Sequence, residues 1–209
     1  MHCGLCRSRP ICLITLTDMA TKSAKSALTP ALTKTEKTPL EDHRWHLAVD
    51  EFGVAITDLE YAVMRLHQSF LRWQAECINA VSDTPLSGQE NALLHIIRMH
   101  ERPKTIKDLQ QIANRQDVPN MQYELRKLIK AELVEKYGTA RSGIYYVATA
   151  KGAQVCEDFA KVRSDIFLRL SAGLPDAADN ASQSAACLEQ MEKVYESATR
   201  EIATFYRKR

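Results

Sequence analysis

The chain has 209 residues and a formal net charge of +2, with aromatic residues at 7%. That length suits one well-buried domain, or a small domain with helical extensions, and so mild a charge means that any basic surface must be local. No apolar run approaches the roughly 18 residues that cross a bilayer, which excludes a membrane span.

Residues 1–39 are rich in Thr, Ser, Ala and Lys without a sustained hydrophobic period, the composition of a flexible arm. Arg7 and Arg9 precede the apolar stretch Ile11 to Leu16, which is too short for a secretory signal and lacks a small-residue cleavage site, so a cytoplasmic protein is expected. Met19 offers a second possible start. Cys3 and Cys6 have the spacing of a metal or redox pair, but no second pair accompanies them, and no metal or other cofactor is expected. Together with Cys12, Cys77, Cys156 and Cys187 they are too sparse for a disulfide framework.

Beyond the arm, Trp45, Val49, Phe52, Ile56, Leu59, Val63, Leu66, Phe70, Trp73 and Cys77 alternate steps of four and three, the seam of a long helix that packs along another helix. Gly53 would bend it, and the stretch around Pro85 ends it. A second helix is expected from Ser87 to about His100, burying Ala92, Leu93, Ile96 and Ile97. Pro103 breaks it before a third, Thr105 to Asn114, with Ile106, Leu109 and Ile112 inward.

The fourth helix, about Val118 to Ala131, has Asp117 to cap it and Pro119 in its first turn. Met121, Leu125, Leu128 and Ile129 form its apolar stripe, while Gln122, Tyr123, Arg126, Lys127 and Lys130 fall on the opposite face. Such side chains reach phosphates and base edges. Leu133 to Tyr137 and Ile144 to Ala148 read as two strands whose connection begins at Gly138 and ends at Gly143, a tight hairpin. Between Pro103 and Ser142 eight lysines and arginines stand against five acids, so the basic excess gathers where a reader helix and a hairpin would lie. Two helices close the chain, one with Val155, Phe159, Val162, Ile166 and Leu170, the other with a second seam of Leu188, Met191, Tyr195, Ala198, Ile202 and Phe205. Seams on both sides of a small module call for a partner, and a symmetric dimer supplies one.

In that order the elements resemble the MarR family of dimeric bacterial transcription regulators, from about Glu41 to Arg209. Leu86-Ser-Gly-Gln-Glu-Asn-Ala-Leu-Leu94 looks like the family's entry to its second helix. Lys130-Ala-Glu-Leu-Val-Glu-Lys136 looks like the end of its recognition helix and first wing strand, and Ala148-Thr-Ala-Lys-Gly152 like the close of its wing. The tip departs from the family's pattern, having one arginine about a position out of register and no adjacent acid; Asn120 and Gln122 stand where many relatives have Ser and Thr.

The resemblance implies a mainly α fold with a small β-hairpin wing: a winged helix-turn-helix over 86–152, flanked by dimerisation helices over 40–81 and 153–209. It implies a homodimer that reads pseudo-palindromic double-stranded DNA. The expected contacts are Asn120, Gln122, Tyr123, Arg126, Lys127, Lys130, Lys136, Thr139, Arg141 and Ser142, with Arg141 in the minor groove. The family often binds small aromatic or phenolic effectors between its dimer base and reader module, where Trp45, His46, Tyr61, His67, His95 and Arg98 would lie. Some relatives sense oxidants through a cysteine near the start of the first helix, a place that Cys77 does not occupy. No nucleophile and base share a recognisable setting and no phosphate-binding glycine loop occurs, so catalytic residues are not expected. The competing reading is a winged helix that serves as a protein-interaction module without specific DNA binding.

Overall fold

The computed structural model describes residues 46–206 apart from Val49 and Ala140. The arm expected over residues 1–39, the Cys3 and Cys6 pair, Cys12, Trp45 and Val49 lie outside the described residues.

Helix α1 spans Glu51–Asn79. Asp50 starts it: extended at φ −137°, it accepts the Gly53 N–H on its carboxylate at 2.7 Å and so satisfies one of the helix's free donors. Gly53 therefore sits in the first turn, and the interior bend expected there has no glycine to cause it. Only the last turns of α1 enter the core, through Gln74, Cys77 and Ile78, whereas Phe52, Val63, Leu66 and Phe70 are exposed. At its end the Asn79 amide clamps the backbone of Leu86, donating to its carbonyl at 3.1 Å and accepting its N–H at 2.8 Å.

Helix α2, Gly88–Arg98, opens with a capping box between Ser87 and Glu90. Leu93, Leu94, Ile97 and the polar Asn91 are its fully buried residues; Ala92 and Ile96 are half-buried. Helix α3, Ile106–Ala113, has a second capping box, Thr105 with Asp108, and ends at Asn114 in the left-handed conformation. Leu109 is buried there, but Ile112, expected inward, is exposed: α3 is only eight residues long and rests on the core through one edge.

Helix α4, Val118–Lys130, buries Met121, Leu125 and Leu128 as its periodicity requires. Strands β1 (Val134–Thr139) and β2 (Gly143–Ala148) pair antiparallel, from Val134 opposite Ala148 to Thr139 opposite Gly143. Gly138 and Gly143 take φ of +93° and +92°, the left-handed region that glycine enters without a side-chain clash. Lys104 pairs with Tyr146 through two backbone hydrogen bonds and ties the hairpin's base to the loop before α3.

Helix α5 (Ala150–Val162) packs Val155, Cys156 and Phe159 into the core, then continues through a π-helical stretch, Arg163–Leu168, into the short α6, Arg169–Ser171. Helix α7, Ala177–Phe205, follows. Its expected seam buries no residue within one chain. Ile78, Leu93, Leu94, Ile97, Leu109, Met121, Leu125, Leu128, Leu133 and Val134 make one contiguous core under α4 and the hairpin.

Candidate nucleic-acid interface

With its apolar stripe fixed in the core, α4 turns Asn120, Gln122, Tyr123, Arg126 and Lys130 outward, all exposed. The hairpin adds Lys136 on β1 and Arg141 at the tip, also exposed. A short helix with a polar outer face beside a projecting basic hairpin has the dimensions and donors to enter a major groove and follow the adjacent backbone.

Lys127 departs from that face. Its ammonium lies 2.7 Å from Glu90 Oε2, and the Glu90 side chain is only 5% exposed. The same oxygen accepts the Ser87 N–H of the α2 capping box at 2.7 Å. Lys127 therefore pins α4 to α2, where sequence had placed it among the outward groups. Two further members of the basic cluster are likewise engaged. The buried Lys104 donates to the carbonyls of Ile97, Met99 and Arg102, closing the C-terminal end of α2. Arg115 grips both Asp117, at 2.8 and 2.9 Å, and Glu124, at 2.7 and 3.0 Å. The cations left exposed in this region are Lys107, Arg126, Lys130, Lys136 and Arg141.

Asp117 occupies the N-cap position of α4 without making the expected side-chain cap, because Arg115 occupies its carboxylate. The Arg115 hydrogen bonds, with Asn120 adding to them, hold that carboxyl down at about 2, and its partners hold the Arg115 guanidinium well above its ordinary value. This clasp ties the turn after α3 to α4; the sequence reading missed it. The signal for the Glu90 contact was present in the sequence as the Ser87 to Glu90 capping-box spacing.

At the wing tip, Thr139 and Ser142, expected to touch DNA, are tied to each other. The Thr139 N–H donates to Ser142 Oγ at 3.0 Å, the Ser142 N–H to Thr139 Oγ1 at 3.1 Å, and the two hydroxyls lie 2.9 Å apart. Their first role is to shape the turn that presents Arg141.

The described residues among those expected around an effector do not converge. His67 lines a cavity of about 500 Å³ between α1, α2 and the α3–α4 turn, with Gln89, Leu93, Ile96 and Arg115. His95 belongs to another face of α2, packed at 4.6 Å from the Phe159 ring; burial, then Arg163, pushes its imidazolium pKa down. Arg98, one turn on, pairs with Glu101 at 2.8 Å and borders a smaller cavity of about 280 Å³ against β2 and α5. Tyr61 and His46 are exposed, Tyr61 beneath the Arg65 guanidinium at 5.6 Å. The physical reason is the helical turn: residues three apart share a face of α2, and that face points away from His67. Among the described residues no cluster of three or more potential ligands could hold a metal ion, and no helix is long and apolar enough to cross a membrane.

Residues 86–152 match the family model described as a winged helix DNA-binding domain. Over about two thirds of its length the chain has the MarR-type winged helix fold, as three solved structures show. A mutant of MarR from E. coli complexed with operator DNA is 20% identical, with a TM-score of 0.55 over 68% of this chain and 99% of that one. A MepR–DNA complex from S. aureus is 15% identical, TM-score 0.53, over 65% and 95%. The oxidised form of MarR from E. coli is 20% identical, TM-score 0.50, over 64% and 93%. No curated protein matches the chain in sequence.

Proposed function

We propose that the protein is a MarR family transcription regulator, a homodimer that binds pseudo-palindromic double-stranded DNA in a sequence-specific way and works without catalysis. The observation that carries this reading is the outer face of α4, where Gln122, Tyr123, Arg126 and Lys130 stand exposed on a helix locked into the core, beside a wing bearing Lys136 and Arg141. Asn120, Gln122 and Tyr123 lie near the N-terminal end, where reader helices meet base edges, and Arg126 suits a guanine. Lys130 and Lys136 meet phosphates, and Arg141 reaches the minor groove. Thr139 and Ser142 serve the contact from the turn they build, and Lys127 serves it by positioning α4. The structural neighbours solved in complex with DNA support DNA as the partner.

Dimerisation is supported by the apolar residues that one chain leaves uncovered, among them Phe52 on α1 and Ile202 and Phe205 on α7, which are 75%, 58% and 76% exposed. Two copies related by a two-fold axis place their reader helices about one helical turn of DNA apart, or a multiple of it. The cavity at His67 and Arg115 sits against the α3–α4 turn, where a small aromatic effector would alter the separation of the two reader helices. Oxidation at Cys77 or Cys156 is the weaker control: burial pushes the Cys77 thiol up and the Cys156 thiol up to about 11, which leaves little thiolate to react there. A DNA partner makes the bacterial cytoplasm its place of action.

Selection of bound sites from random duplex DNA tests the reading. Enrichment of an inverted repeat is expected. Failure to enrich any repeat, with binding that is insensitive to salt, would replace it with the protein-interaction module.

A further inference from the structure

We propose that His95 is a proton switch between α2 and α5. Its neutral ring rests on Phe159 and holds the two helices together; its protonated ring leaves that contact for the side-chain oxygen of Asn91, which loosens α5. Among the described residues, two buried side-chain atoms have no hydrogen-bond partner, Asn91 Oδ1 and His95 Nε2. They belong to residues four apart on α2, so they share one face of that helix. A helical side chain leans back over the preceding turn, which aims the ring toward Asn91. Buried polar groups in native proteins are nearly always paired, so two unpaired ones on adjacent turns call for an explanation beyond packing.

Three elements enclose the pair. From α1 comes the buried Gln74, whose Oε1 accepts Asn91 Nδ2 at 3.0 Å and leaves Asn91 Oδ1 unused. From α5 comes Phe159, its ring 4.6 Å from the imidazole and 5.6 Å from that of Trp73 on α1. The charge that acts on the imidazole is Arg163, at the start of the π-helical stretch. Arg98, one turn further along α2, is balanced by Glu101 at 2.8 Å and by Glu157 of α5 at 4.0 Å. Burial pushes the thiols of Cys77 on α1 and Cys156 on α5 up, so both stay neutral where a histidine titrates. A proton on His95 therefore places a second cation near Arg163 and makes both ring nitrogens donors. The Phe159 ring is a poor acceptor for them, whereas Asn91 Oδ1 is a free one on the same face.

The sign of the effect follows from the enclosure. Burial, then Arg163, holds the imidazole below its ordinary 6.5, so the unfolded chain takes up this proton first. The share of stability that His95 contributes is complete above that ordinary value and is lost as pH falls through the lower value of the fold. Opening of the α2–α5 contact should rise about tenfold for each pKa unit that separates the closed and open states. The switch does not depend on the DNA-reading role.

The test titrates the full chain, carrying isotope-labelled histidine, by nuclear magnetic resonance, with the His95 ring signal assigned through its own backbone. Its midpoint should lie below 6.5. Arg163→Gln, a change at an exposed position, should raise the midpoint, and Asn91→Asp, which offers the ring a charged acceptor, should raise it too. Hydrogen exchange supplies the second measurement. Between about pH 7.5 and about pH 5.5, the range in which a histidine switches, exchange at the α5 amides of Cys156 to Phe159 should quicken relative to those of Met121 to Leu128 on α4. In His95→Gln that difference should vanish. A midpoint at or above 6.5, a midpoint indifferent to Arg163→Gln, or the same quickening in His95→Gln overturns the switch. A midpoint unmoved in folded Asn91→Asp overturns Asn91 as the acceptor. Should either α2 variant fail to fold, the wild-type titration and Arg163→Gln decide the matter alone.

Discussion

Glu90 and Lys127, 37 positions apart in the chain, meet at 2.7 Å and join the start of α2 to the last turn of α4. The contact makes one carboxylate do two things, since it also closes the α2 capping box on Ser87. The position of α4 on α2 therefore depends on a charge pair on its inner flank, and under the proposed function neighbouring cations on α4 have different tasks.

Those tasks separate experimentally. Lys127→Met should destabilise the fold by about 1–3 kcal/mol, below the full cost of stranding a buried carboxylate because the lysine is partly in water. The dependence of DNA affinity on salt should keep its slope in that variant. Arg126→Ala and Lys130→Ala should leave the melting temperature nearly unchanged, the latter reducing the salt slope by about one. A Lys127 variant that lowers the slope without loss of stability would return Lys127 to the DNA-contacting face.

Arg115 gives a pH signature. The Asp117 carboxyl is held at about 2 in the fold against an ordinary 3.8, so its ionised pair with Arg115 stabilises fully above about pH 4 and the contribution is lost as pH falls from about 4 toward 2. Arg115→Met should abolish this share of the acid destabilisation in thermal melts from pH 2 to 5. At neutral pH the same variant strands Glu124, whose side chain is 8% exposed, at a cost of roughly 3 kcal/mol. Parallel acid profiles for wild type and variant would contradict the clasp.

The wing can be damaged without the core. A Cβ on Gly138 would strike the carbonyl oxygen of Gly143 across the hairpin, at a φ of +93° that already disfavours alanine. Gly138→Ala should strain the hairpin by about 1–3 kcal/mol. Its DNA affinity should fall at least as far as in Arg141→Ala, with the helical circular dichroism signal retained. Unaltered affinity in both variants would remove the wing from the interface.

Helix α7 should be needed for association. Replacing Ile202 and Phe205 together with glutamate places charge on an exposed apolar face and should convert a dimer into a monomer in sedimentation, with loss of affinity for a two-half-site duplex. A dimer that survives both changes would place the interface elsewhere.

Periodicity alone determined most of the architecture. Spacings of three and four set α2 and α4, alternation and two glycines set the hairpin, and the apolar stripe of Met121, Leu125 and Leu128 dictated which face of α4 turns outward. These are local signals, because a side chain's direction on a helix or strand follows from its position along the element. Tertiary structure alone decided which cations on that surface are free. Arg126 and Lys127 are adjacent and chemically alike, yet about 100° of helical rotation turns one to solvent and the other to Glu90. The Arg115 clasp, the burial of Lys104 and the separation of His67 from His95 depend in the same way on groups from different elements. No local pattern encodes a distance between two helices, so these roles became legible only when the elements packed.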